Sequence, residues 1–129
     1  MSVFNSIFGK SENENSSTKK INWTQLTNLG QLDEIFSLSK EKPIVIFKHS
    51  TRCNISRMVL KQFENEFDLE PNVEAYFLDL LEHRTISNEI ATRFGVFHQS
   101  PQVLLIKGGK SVYDLSHGDI DAREIKIRL

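Results

Sequence analysis

The chain has 129 residues, 39% of them hydrophobic and 26% charged, which suits a single domain with its own core and is too apolar for a disordered chain. Lys plus Arg total 16 and Asp plus Glu 17, a formal net charge of -1; a dedicated nucleic-acid binder carries a clear basic excess instead. No apolar run approaches the ~20 residues of a membrane span.

Residues 1–20 read as a flexible polar tail. Phe4, Ile7 and Phe8 make a small apolar cluster, and SENENSSTKK after it buries too little to offset its ordering entropy. Regular punctuation begins at Ile21, so the domain is placed at 21–129. INWTQL (21–26) reads as a short strand. QLDEIFSLSK (31–40) sets Leu32, Ile35, Phe36 and Leu38 at helical spacing. PIVIFKHS (43–50) is apolar without alternation, as expected of a strand buried on both faces.

The segment NISRMVLKQFENEF (54–67) is an amphipathic helix with Ile55, Met58, Val59, Gln62 and Phe63 along one face and Phe67 one turn on. Pro71-Asn72 breaks it. VEAYFLDLL (73–81) is a strand and RTISNEIATRF (84–94) a helix, with Gly95 where a left-handed cap belongs. After the loop VFHQS (96–100), PQVLLIK (101–107) and KSVYDLS (110–116) form a hairpin through Gly108-Gly109. DIDAREIKIRL (119–129) closes the chain as a helix, acidic first and basic last. The order is β-α-β-α-β-α-β-β-α. It predicts an α/β domain with a five-stranded mixed sheet flanked by four helices, parallel wherever a helix separates two strands.

Cys53 is the single cysteine, so no internal disulfide is available. A free thiol belongs naturally in a reducing cytoplasm, and no secretory signal is visible. Cys53 stands between the carboxyl end of a buried strand and the amino end of a helix, where open α/β sheets place active sites. Unpaired N–H groups and the helix dipole there stabilise a thiolate, and Arg52 adds a cation. Ser56, three residues on, falls beside the sulfur on a helix start. Two cysteines at this spacing would be a dithiol redox pair. With serine second, Cys53 can attack a disulfide but nothing internal resolves the product.

The element order, the Cys-x-x-Ser motif and Ser100-Pro101 opening the fourth strand resemble a thioredoxin fold. FKHSTRC followed by x-I-S, then QSPQVLLIKGGK and SHGDI, is similar to the YtxJ family of monothiol bacilliredoxin-like proteins from about Trp23 to the C-terminus. One departure is Asn54, where that family often has proline. The resemblance implies a cis Pro101 facing Cys53. It also implies that Cys53 takes a low-molecular-weight thiol, bacillithiol, from protein mixed disulfides. The partners would be S-thiolated proteins, the small thiol as co-substrate and a regenerating reductase, with no tightly bound cofactor. Ser56 would hydrogen-bond the sulfur. Pro101 and Ser100 would offer backbone groups to an extended substrate, and Thr51, Arg52 and Asn54 would line the entrance. Lys48 and Gly118-Asp119 stand where related glutaredoxins hold their small thiol.

Other readings are a non-catalytic adaptor using the same face, and an iron–sulfur carrier like the monothiol glutaredoxins. The carriers usually have Gly-Phe between Cys and Ser, where this chain has Asn54-Ile55, bulkier at the first position. Of the four histidines, His49 is near Cys53 in sequence and could act as its base. The two complete no metal-ligand pattern.

Overall fold

The computed structural model describes residues 21–67 and 73–129. The tail at 1–20 and the Pro71-Asn72 break lie outside them. The described residues form β1 (Thr24–Gln25), α1 (Gly30–Leu38), β2 (Ile44–His49), α2 (Asn54–Glu66) and β3 (Glu74–Asp79). There follow α3 (Arg84–Phe94), β4 (Gln102–Lys107), β5 (Lys110–Ser116), a 3-10 turn (His117–Asp119) and α4 (Ala122–Lys126). The sheet order is β1-β3-β2-β4-β5.

β1, β3 and β2 are parallel, whereas β4 pairs antiparallel to β2 and β5 antiparallel to β4. The expected α/β sheet of five strands therefore forms. The expectation of a parallel crossover at every helix fails at β4. After α3 the segment 95–100 carries the chain to the carboxyl end of β2, so β4 starts there, with Gln102 opposite Lys48. This reversal puts the Ser100–Pro101 bond, which is cis, at the same end of the sheet as Cys53.

β2 is buried along its whole length, as its unbroken apolar run predicts. Ile44 and Ile46 face Leu32 and Ile35 of α1 and Ile86 and Ile90 of α3. Val45 and Phe47 face Phe63 of α2 and Ile125 of α4. Phe47 is ringed by Trp23 at 5.9 Å, Phe63 at 5.5 Å and Phe77 at 6.4 Å between centroids. Truncating a ring so enclosed costs about 3–5 kcal/mol. The Trp23 indole N–H, at the rim of this cluster, donates to Glu64 at 2.6 Å.

Gly108 and Gly109 take φ of 61° and 80°, the left-handed pair that a tight hairpin needs. Their N–H groups bond Ser39, Gly108 to its carbonyl at 2.7 Å and Gly109 to its hydroxyl at 2.8 Å. The hairpin is thereby tied to the end of α1. Phe36, expected in the α1 core stripe, is instead half out of the core. Its ring lies against Gly109, leaving no room for a Cβ there, and under the Lys40 ammonium. Gly95 caps α3 with φ 66°.

Two further elements depart from their sequence reading. The first strand shrinks to two residues on the sheet edge. The last helix is only five residues and begins after the 3-10 turn; its cap is Asp121, which accepts the Arg123 N–H at 2.9 Å.

Candidate active site

β2 delivers the chain to the site. Beyond His49 the backbone turns, with the Cys53 N–H donating to the Ser50 carbonyl at 3.1 Å. Cys53 then caps α2 in extended conformation, φ -101° and ψ 120°, and the Arg57 N–H closes on its carbonyl at 3.1 Å. The thiol is free and partly exposed. Thr51, Arg52 and Asn54 are exposed around it, as an entrance requires.

Ser56 is fully buried one turn into α2. Its hydroxyl oxygen accepts the Ser50 N–H at 3.1 Å and lies 2.8 Å from His49 Nδ1. The bond runs either from the hydroxyl to Nδ1 or from an Nδ1–H to the hydroxyl, according to the imidazole tautomer. Burial is the largest cause lowering the His49 pKa and Arg57 also lowers it, while Asp79 and Glu64 raise it. Neutral His49 fits that arrangement. Among the described bonds none joins Ser56 Oγ to the Cys53 sulfur. The spacing places Ser56 beside the site, but its hydroxyl is oriented by His49, which sequence reasoning offered only as a base.

Pro101 is buried at the start of β4. Its carbonyl accepts the His117 N–H at 2.9 Å. The Ser100 hydroxyl is buried with no partner among the described residues. The same bond ties the 3-10 turn to the proline, and the turn packs on α2. Gly118 and Asp119 thus join the cysteine end of the sheet and are exposed. The left-handed residue of the turn is His117, φ 55°, not Gly118.

Lys48 is elsewhere. It shares the face of Ile44 and Ile46, toward α1 and α3, while α2 packs on the opposite face. It is fully buried, and its Nζ has no hydrogen-bond partner among the described residues. Burial lowers its pKa from 10.5 to about 8. Gln102 beside it is buried too; its Nε2 donates to the Phe97 carbonyl at 3.0 Å and its Oε1 is unpartnered. Lys48 cannot contact a thiol at the entrance from there.

Sequence reasoning missed Arg57. Its guanidinium donates to the Thr51 carbonyl at 3.3 Å and to Asn54 Oδ1, one acceptor on each side of Cys53. The available signal was Asn54 three residues before an arginine in a helix first turn. The α2 face was also rotated in the sequence reading. Ser56, Phe63 and Phe67 are buried, with Val59 and Leu60 partly so, and Ile55 and Met58 face solvent. Among the described residues no three His, Cys, Asp or Glu side chains gather as a metal-ligand set.

The family model of the monothiol bacilliredoxin BrxC matches residues 24–125. The chain belongs to that family. Among solved structures it is similar to a proposed oxidoreductase with a thioredoxin fold, at 29% identity and TM-score 0.69, covering 84% of this chain and 92% of that one. It also matches the thioredoxin Mala s 13 of Malassezia sympodialis, at 17% identity and TM-score 0.66 over 90% and 95% of the two chains. The thioredoxin NaTrxh of Nicotiana alata follows at 22% identity and TM-score 0.64, over 88% and 95%. The last two share the fold alone. The fold is thioredoxin-like, and the family carries a thiol redox function. No helix of the described residues is long and apolar enough to cross a membrane.

Proposed function

We propose that this bacilliredoxin-family protein removes a low-molecular-weight thiol, bacillithiol, from protein mixed disulfides through Cys53 in a reducing cytoplasm. The observation that carries the reading is a single accessible thiol capping α2 with a buried Ser56 where a resolving cysteine would stand. The Cys53 thiolate attacks the small-thiol sulfur of the mixed disulfide. That S–S bond breaks, its electron pair leaves on the protein sulfur, and a new S–S bond joins the small thiol to Cys53. A second small thiol or a reductase then attacks the adduct and restores Cys53.

Each neighbour takes a part in this account. Cys53 stands at the amino terminus of α2 as its cap. His49 holds the Ser56 hydroxyl, so the first turn of α2 is fixed without a second nucleophile. Ser100, beside Pro101, offers backbone groups to the protein substrate, and Thr51, Arg52, Asn54 and the Gly118-Asp119 turn border its approach. Met58 is 71% exposed on α2 and Phe97 is 90% exposed on the loop before Pro101; apolar side chains so presented suit a protein partner.

Incubation with a bacillithiolated model protein tests the reading. The freed protein thiol, counted by alkylation, should appear with the wild type and stay at the buffer level with Cys53→Ala. Release by Cys53→Ala at the wild-type rate overturns the nucleophile assignment.

A further inference from the structure

We propose that Arg57 selects the small thiol by binding a carboxylate on it, an inference that rests on the mixed-disulfide reading above. The guanidinium straddles Cys53, held by the Thr51 carbonyl before it and by Asn54 Oδ1 after it. Both acceptors are neutral. Arg93 pairs with Asp33 and Glu89, Arg123 with Asp121 and Arg128 with Glu124, whereas Arg52, Arg57 and Arg84 have no ion pair among the described residues; of these three, Arg57 is the one hydrogen-bonded on both sides of Cys53. Its charge is therefore fixed in place and left uncompensated at the mouth of the thiol.

A guanidinium has five N–H donors in a planar fork that matches a carboxylate. Hydrogen bonds to the Thr51 carbonyl and to Asn54 Oδ1 leave the remaining donors for a ligand. The side chain is exposed, so that ligand comes from solvent. Asn54 acquires a purpose here, because a proline at that position would offer no side-chain acceptor to hold the fork.

The exchange chemistry names the carrier of the carboxylate. Cys53 attacks the small-thiol sulfur, so the small thiol remains bonded to Cys53, one helical turn from Arg57, while the protein departs. A carboxylate on the small thiol stays within the reach of Arg57 through the step. One on the protein leaves with it.

The test uses the full chain and one model protein, disulfide-bonded either to mercaptosuccinate or to its dimethyl ester. The wild type should release the protein from the diacid adduct about fivefold faster than from the ester, the span of an exposed ion pair. In Arg57→Gln the ratio should fall to about one, and Arg57→Lys should restore part of it. A merely structural role would slow both adducts alike and leave the ratio intact. A wild-type ratio of one, or an unchanged ratio in Arg57→Gln, overturns the proposal. In a second arm the ester adduct sits on peptides with Asp or Ala beside the cysteine. An Arg57-dependent preference for Asp, without one for the diacid, would move the carboxylate to the protein and also overturn it. Release from neither adduct removes the mixed-disulfide reading itself.

Discussion

Lys48 and His49 are neighbours in sequence, both buried, on opposite faces of β2. His49 has the Ser56 hydroxyl at 2.8 Å, whereas the Lys48 ammonium has no partner among the described residues. Burial lowers the pKa of both. The pair separates two ways of placing a polar group inside a sheet. A hydrogen-bonded imidazole at the cysteine face is neutral and nearly free of cost, and it organises α2. A lysine at the other face must either hold an unpaired charge or give up its proton.

The largest effect that would break this contrast concerns Lys48. Its folded pKa of about 8 lies below the ordinary 10.5, so below pH 8 the native state carries a proton it disfavours. At about 1.4 kcal/mol per factor of ten, the penalty is roughly 3 kcal/mol. Lys48→Met should therefore stabilise the domain by up to that amount at pH 7. Between pH 8 and 10.5 the unfolded chain binds the extra proton, wild-type stability rises, and the gain should fade. Urea titrations at pH 7 and 10.5 read this; an equal gain at both would contradict a disfavoured charge.

Ser56→Ala is next. It orphans the Ser50 N–H and His49 Nδ1 in the interior, so it should cost about 1–3 kcal/mol. The cycle with His49→Phe should be non-additive, because the double variant removes both partners. Additive losses in denaturant midpoints would show that the two do not act as a pair.

Ser56→Cys sharpens the same point on the reaction. A thiol at that position should resolve the Cys53 adduct internally, shortening its lifetime at least about tenfold. A mixed disulfide equally long-lived in this variant and the wild type would contradict position 56, one turn into α2, as the place of a resolving cysteine.

The smallest effect is the acid side of His49. Its depressed pKa means that the unfolded chain takes a proton before the native one does. Stability should fall as pH drops below 6.5, and His49→Phe should remove part of that slope. A slope unchanged by the substitution would assign it to other groups.

The layout of the sheet was legible because its signals are local. The run at 44–47 admits no solvent-facing side, and Gly108-Gly109 and Gly95 occupy positions with positive φ. What escaped was set by tertiary bonds. Periodicity placed Ile55 and Met58 inward because a serine in a first turn reads as a surface residue, yet Ser56 is drawn in by His49. By resemblance Lys48 stands as a small-thiol ligand, since hydropathy cannot show that it is fully buried within the sheet. The reversed direction of β4 came from the 95–100 loop, which looks like any other connection. Cys53 and Pro101 were readable from motif and position. Arg57 was not, because its meaning lies in the acceptors on either side of the cysteine.

The most direct measurement is an intact mass spectrum of the protein after incubation with a bacillithiolated model protein, beside a glutathionylated one and Cys53→Ala. The account predicts one bacillithiol-sized adduct on Cys53, in step with reduced model protein, and none on Cys53→Ala. Unmodified Cys53 with both thiolated proteins left intact would contradict it and return the same face to the role of a binding surface.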